Sequence, residues 1–241
     1  MRKLFRSFER AGLEYLLISG QATVLYGAAT FSEDVDLWIR PTAANARKLL
    51  VALAEQRARV HRLTPPLTLR NMRSGHGFHF VVPDRPVEVY LDIMARPPRV
   101  GSFASAKRRS RNVSTDWGLL PVIHPMDLVE LKKTRRLADY DIITNLVLLF
   151  ISEEPKPDHS LLRWAAKNCF RPEECADVLA RLGRRRTVEQ CAKDIPKQVA
   201  FLQTQDRVYW SKIIDELREM RRKGQLLPDG MPVSRLLRTR V

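Results

Sequence analysis

Ser19-Gly20-Gln21-Ala22-Thr23-Val24-Leu25-Tyr26-Gly27-Ala28-Ala29-Thr30-Phe31-Ser32-Glu33-Asp34-Val35-Asp36-Leu37-Trp38 is the stretch that decides the fold. It follows an apolar run, residues 15 to 18, that reads as a buried strand. Ser19-Gly20 supplies a turn, residues 21 to 26 carry apolar side chains at helical spacing, and Gly27 is placed to end that short helix. From 34 to 39 the period changes to two, which sends Val35, Leu37 and Ile39 to one face of a strand and Asp34 and Asp36 to the other. Strand, glycine turn, helix and acidic strand follow one another within 25 residues or so of chain.

Working outward, residues 3 to 11 read as an amphipathic helix, and Pro41-Thr42 opens another that runs to about residue 57. Residues 78 to 82 and 87 to 94 read as strands, with turn chemistry in Pro83-Asp84-Arg85-Pro86 that suggests a hairpin. In the second of these, Val87, Val89, Leu91 and Ile93 share one face, and Glu88, Tyr90 and Asp92 share the other. Residues 96 to 116 are basic and Ser-rich, as expected of a mobile loop. Beyond Pro125 the patterning is helical nearly to the end. The expected fold class is α+β: a small mixed sheet flanked by helices over residues 1 to 120, then an all-helical domain over 121 to 241.

The chain has 241 residues, with 42 Lys and Arg against 27 Asp and Glu, a formal charge of +15. Both halves are basic. Such a field attracts RNA, DNA, nucleotides or an acidic partner, and it disfavours polycationic substrates. An Arg-rich solvated surface would give the same arithmetic, but the runs Lys107-Arg108-Arg109, Arg184-Arg185-Arg186 and Arg221-Arg222-Lys223 favour a polyanion. No stretch is long and apolar enough for a membrane span, and the N-terminus lacks the apolar core of a signal peptide. Three cysteines, Cys169, Cys175 and Cys191, lack metal-site spacing and read as reduced, core-packed thiols in a cytoplasmic protein.

If the strand at 34 to 39 and the strand at 87 to 94 lie in one sheet, Asp92 can join Asp34 and Asp36. Like charges about 4 Å apart repel by about 1 kcal/mol in water and about 4 kcal/mol at an effective dielectric of 20, so the cluster calls for a cation. Hard oxygen donors suit Mg²⁺. Two such ions bridged by carboxylates would align a nucleoside triphosphate with an attacking hydroxyl. The two-residue spacing alone favours an ordinary half-exposed strand; the upstream turn, where backbone N–H groups at a helix start can receive phosphate oxygens, weighs against that reading.

The segment 19–38, followed by Val89-Tyr90-Leu91-Asp92-Ile93-Met94, resembles the polymerase-beta-type nucleotidyltransferase superfamily, and within it the AbiEii-like toxin branch of type IV toxin-antitoxin systems. The resemblance implies Asp34, Asp36 and Asp92 as the catalytic, metal-binding carboxylates and Ser19 with Gly20 as phosphate contacts. It extends over Met126-Asp127-Leu128-Val129-Glu130-Leu131-Lys132, Arg136 and Asp139-Tyr140-Asp141, which implies Lys132 and Arg136 as nucleotide-binding residues. Gln21 departs from the family pattern, as do Ala28 and Ala29 where basic residues commonly stand. By spacing, Lys132, Arg136 and Asp139 fall on one side of a continuing helix, either as a cationic stripe facing a nucleotide or as an intrahelical ion-pair ladder. Lys133 competes with Lys132 for the same role.

The remaining candidates carry less. His79 alternates against Phe78 and Phe80 and reads as a partly exposed histidine. His76 joins it in no recognisable metal spacing, and Tyr209-Trp210 reads chiefly as core. The expected function is therefore Mg²⁺-dependent transfer of a nucleoside monophosphate from an NTP to an acceptor hydroxyl, first of all the tRNA 3′ end. The alternatives are nucleotidylylation of a protein and a catalytically weak scaffold that binds RNA or a partner protein. A cognate antitoxin is implied by the resemblance.

Overall fold

A computed structural model describes residues 1–84 and 86–238. The chain is α+β, with a seven-stranded mixed sheet and a succession of helices beyond it. It divides into two compact units: residues 1–22, 31–124 and 211–241 form the first, and residues 23–30 and 125–210 the second. The division expected from sequence is a single cut near residue 120, whereas these units are discontinuous in the chain. Among the described residues, no helix is long and apolar enough to cross a membrane.

The first unit is built on β1 (Tyr15–Ile18), β2 (Val35–Ile39), β3 (Arg59–Val60), β4 (Phe78–Asp84), β5 (Val87–Met94), β6 (Arg111–Thr115) and β7 (Gly118–Val122), in the order β3-β4-β5-β2-β1-β7-β6. β1 and β2 run antiparallel, β2 and β5 parallel, and β4 and β5 form the expected hairpin, antiparallel with Asp84 opposite Val87. Arg85, inside the expected turn, lies outside the described residues. Strand β1 is buried on both faces, while β2 and β5 bury one face through most of their length: Leu16, Leu17, Leu37, Ile39, Leu91 and Ile93 are fully buried. Removing each such side chain from water contributes about 1.5–3 kcal/mol, which sets the sheet register firmly.

Helix α1 (Arg2–Arg10) buries Leu4, Phe5 and Phe8. Helix α3 (Ala43–Glu55) begins where the Thr42 hydroxyl accepts from the Asn45 backbone N–H. Between them lies α2 (Ser19–Leu25), and α4 (Leu69–Ser74) follows β3. The segment expected to be a mobile loop is ordered instead. Ser102 caps α5 (Phe103–Arg109) by accepting from the Ser105 N–H at 3.2 Å, Phe103 is buried, and residues 111–122 form the β6–β7 hairpin. Its Ser content supplies a helix cap, and its apolar residues Phe103 and Ala106 supply the anchor that a composition reading overlooks. The C-terminal segment is not wholly helical either: Val60 N–H donates to the Met231 carbonyl at 2.9 Å, and a 3-10 turn over Val233–Arg238 packs on α3.

The second unit consists of α6 (Pro125–Lys132), α7 (Ala138–Ser152), α8 (His159–Asn168), α9 (Pro172–Arg181) and the part of α10 (Val188–Arg222) up to residue 210. Edge-on aromatic pairs, Tyr140 with Phe170 at 4.9 Å and Phe150 with Trp164 at 5.7 Å, join α7 to the segment around α8. The three cysteines are free thiols, all buried. Burial pushes Cys169 up to about 11 and Cys175 up to about 12.

Candidate active site

The acidic residues meet through sheet register. Parallel pairing of β2 with β5 sets Asp36 opposite Asp92, and antiparallel pairing of β4 with β5 sets His79 opposite the same Asp92. Aligned residues on neighbouring strands project to the same face, so Asp36, Asp92 and His79 form one row across three strands. Ile18, opposite Asp36 on β1, ends the row with an apolar side chain.

Asp92 and His79 touch: Oδ1 lies 2.7 Å from the imidazole Nδ1, and both side chains are 28% exposed. The contact orients the Asp92 carboxylate and directs its other oxygen elsewhere. Asp34, two residues before Asp36 and on the same face by strand alternation, sits just ahead of β2 in a segment tied back to α2. The Gln21 side-chain amide donates to the Ser32 carbonyl at 2.8 Å, and the Ser32 hydroxyl donates to the Asp34 carbonyl at 3.2 Å. The Asp34 carboxyl is held above the usual carboxylate range, first by burial and then by the charge of Asp92. Arg62 and His61 oppose that shift without cancelling it.

Gly20 is required by close approach. A methyl group there would lie 2.9 Å from Ser32 Cβ and nearer still to its hydroxyl oxygen. Ser19 precedes it with a left-handed φ of 57°, an uncommon conformation for a residue with a side chain. The turn and the acidic loop are thus one locked piece, with Ser19 and Gly20 at one end and Asp34 at the other. Further along β2 the acidic face closes. Trp38 is buried, its indole N–H donates to the Ala95 carbonyl at 3.1 Å, and Phe103 of α5 meets its ring edge-on at 5.7 Å.

Lys132 and Arg136 belong to the helical unit, and the expected continuous helix between them is interrupted. Helix α6 ends at Lys132 and α7 begins at Ala138. The Thr134 hydroxyl takes part in the interruption: it accepts from the Arg136 N–H at 3.1 Å, a local alternative to the helical backbone bond. The break folds both cations onto Asp139, which is 4% exposed. Lys132, itself 6% exposed, donates to Oδ1 at 3.1 Å, while Arg136 Nε donates to Oδ2 at 3.0 Å and Thr134 donates to the same oxygen. Lys133 pairs with Glu130 instead. The ion-pair alternative thus describes the contacts of Lys132 and Arg136 within their own unit.

The donor chemistry of Asp34, Asp36 and Asp92 fits a hard divalent cation. Each supplies carboxylate oxygen, they share a face, and the Asp34 carboxyl, raised first by burial, is raised further by the charge of Asp92. Among the described residues, no group of three or more His, Cys, Asp or Glu is already drawn together tightly enough to hold a metal. His79, His61, Arg62 and Ser32 are the site residues that sequence reasoning missed. His79 had a usable signal: with Asp84 opposite Val87, antiparallel counting brings position 79 opposite 92.

No protein-family model and no curated protein matches the chain in sequence. Two solved structures are similar to it. JHP933 from Helicobacter pylori matches with a TM-score of 0.40 and 13% identity, over 90% of this chain and 94% of that one. A candidate nucleotidyltransferase from H. pylori matches with a TM-score of 0.42 and 12% identity, over 86% and 93%.

Proposed function

We propose that the chain is a nucleotidyltransferase that moves a nucleoside monophosphate from an NTP to an acceptor hydroxyl and releases pyrophosphate. The observation that carries this reading is the register that brings Asp36 and Asp92 side by side, with Asp34 on the same face and its carboxyl raised first by burial and then by the charge of Asp92. Mg²⁺, as one ion or two, would supply Lewis-acid stabilisation of the phosphoryl oxygens and would be held by Asp34, Asp36 and Asp92. The chain's own residues do the positioning. Asp34 and Asp36 fix the triphosphate end of the site. Asp92, oriented by His79, faces the acceptor hydroxyl and favours loss of its proton. Ser19 and Gly20, locked against the acidic loop, place backbone N–H groups toward phosphate oxygens.

Lys132 and Arg136 are further phosphate contacts on the resemblance alone, and their bonds to Asp139 favour a structural role beside or instead of that one. A net charge of +15 suits an RNA acceptor, with the tRNA 3′ end first and a protein hydroxyl second. A toxin role and an antitoxin partner belong to the same reading and rest on the sequence resemblance. A second reading is a scaffold that binds RNA without catalysis, which the net charge of +15 would serve equally.

Label transfer separates the two. Purified protein, Mg²⁺, each alpha-labelled NTP in turn and total cellular RNA are combined, with an Asp34→Ala, Asp36→Ala variant in parallel. Label entering tRNA-sized RNA only with the carboxylates intact supports the transferase and names its nucleotide. Label on protein shifts the acceptor, and no transfer with any NTP leaves the scaffold reading.

A further inference from the structure

The helical unit holds a cleft of about 680 Å³ between α8, α9 and the start of α10 that no role proposed above uses. Its volume lies within the range of small-molecule and nucleotide sites. Arg163, Lys167, Arg184 and Arg186 line it, against a single acidic lining residue, Asp194. Asp194 is already engaged by Arg186 and by Lys197. Arg163, Lys167 and Arg184 are exposed, and among the described residues none of their side chains has a carboxylate partner. Three cations facing one concave surface repel one another, a cost that an anionic ligand would relieve.

The cleft is otherwise largely apolar. Leu179, Leu182 and Ile195 line it with Trp164, whose ring is held edge-on by Phe150 at 5.7 Å. A flat aromatic group beside unpaired cations is the combination that accepts a base and its phosphates, the ring by stacking and the cations by charge. Arg163 and Lys167 are four residues apart on α8, about 6 Å along its axis, a step comparable with that between successive phosphates of an extended strand. The lining does not stop at the mouth, because Arg184-Arg185-Arg186 and Arg181 continue the positive charge along exposed surface. A ligand that carries its charge beyond the cleft, and not a lone mononucleotide, matches that continuation.

We propose that this cleft binds single-stranded nucleic acid, with phosphates on Arg163, Lys167 and Arg184 and a base against Trp164. The site would give an RNA acceptor of the proposed transfer a second hold on the protein, yet it stands without that reading because it is read in binding alone.

The test is fluorescence anisotropy of the full chain with a labelled mixed-sequence RNA strand of about ten nucleotides, without NTP or divalent ion, over a series of salt concentrations. The same RNA as a duplex, the matching DNA strand and AMP as competitor form the other arms. An Arg163→Ala, Lys167→Ala variant should weaken strand binding about tenfold. It should also flatten the salt slope by about 1.4, at about 0.7 for each phosphate that is no longer neutralised. Both side chains are exposed, so the variant should keep the far-UV circular dichroism of the parent; Arg184→Ala, on the α9–α10 connection, gives an independent loss of about threefold. Tighter binding of the RNA than of the DNA strand names RNA as the source, and equal binding names any single strand. Unchanged affinity and slope in the variants, a duplex bound as tightly as the strand, or full competition by AMP at equal concentration would each overturn the proposal. Loss of label transfer in the Asp34, Asp36 variant bears only on the carboxylate site.

Discussion

Asp139 in the helical unit and Asp34, Asp36 and Asp92 in the sheet unit are both acidic centres in a strongly basic chain, and they are treated in opposite ways. Asp139 is almost wholly buried and receives Lys132, Arg136 and Thr134, so that its charge and both its oxygens are matched by fixed donors. The sheet carboxylates are half-exposed, Asp36 stands beside Asp92 by register, and the Asp34 carboxyl is raised first by burial and then by Asp92. A carboxylate satisfied by its own fold holds structure together. Half-exposed carboxylates that share one face are, on the proposed function, arranged for something that arrives from solution. Substitutions at the two centres should therefore fail in different ways.

The largest effect is expected at Asp139. Asp139→Ala leaves the Lys132 ammonium buried beside no carboxylate, and loss of one partner of a buried pair costs about 3–5 kcal/mol. Urea unfolding followed by circular dichroism should show the helical unit melting early. The double change Lys132→Met, Asp139→Leu removes both charges and should recover most of that stability. If the double variant is as unstable as the single one, the Lys132–Asp139 contact is not what stabilises this turn. At Asp36 the pattern should invert. Asp36→Ala should lower label transfer by about 10²- to 10³-fold, corresponding to about 3–4 kcal/mol of transition-state stabilisation, with unfolding unchanged or slightly later. A large loss of stability at Asp36 would erase the contrast between the centres.

His79 tests how the sheet row is tuned. Residues that orient a metal-ligating group commonly change metal affinity by about 10- to 100-fold when removed. His79→Ala should raise the Mg²⁺ concentration needed for half-maximal transfer by about tenfold, while His79→Asn, which retains a donor near Asp92, should restore part of it. An unchanged Mg²⁺ requirement with an altered melting temperature would make His79 a packing residue only.

Much of this arrangement was legible in the sequence, for identifiable reasons. Two-residue alternation sorted Asp34, Asp36 and Asp92 onto polar faces, and Gly20 announced a turn that the structure explains by the approach of Ser32. Strand pairing is a long-range property, so the sequence could raise the meeting of β2 with β5 only as a condition. The β6–β7 hairpin and α5 were hidden by composition, because Ser and basic residues mark both loops and capped surface helices; the buried Phe103 was the discriminating residue. Helical spacing across 132–139 misled for a local reason, since the Thr134 hydroxyl competes with the backbone and turns the chain. The contributions of His61, Arg62 and Ser32 come from loops whose path no periodicity encodes.

The smallest predicted effect bears most directly on the two kinds of acidic centre, because its sign distinguishes a carboxylate held for structure from one held for function. Burial and Asp92 raise the Asp34 carboxyl above its unfolded value, so the folded state retains a proton at pH values where the unfolded chain has released it. Between the ordinary carboxylate range near pH 4 and the raised folded value, the unfolded state binds fewer protons, and stability falls as pH rises. The penalty is complete at neutral pH and absent below the unfolded value. Asp34→Asn keeps the side-chain shape and removes the charge, so it should raise the melting temperature by about 1–2 °C at pH 7 and change it little near pH 3.5. Mg²⁺ should stabilise the parent more than the variant, because a bound cation relieves the same repulsion. Melting curves at the two pH values, with and without Mg²⁺, decide the matter: an Asn variant that is less stable at pH 7 would place Asp34 with Asp139, among the carboxylates whose charge the fold itself requires.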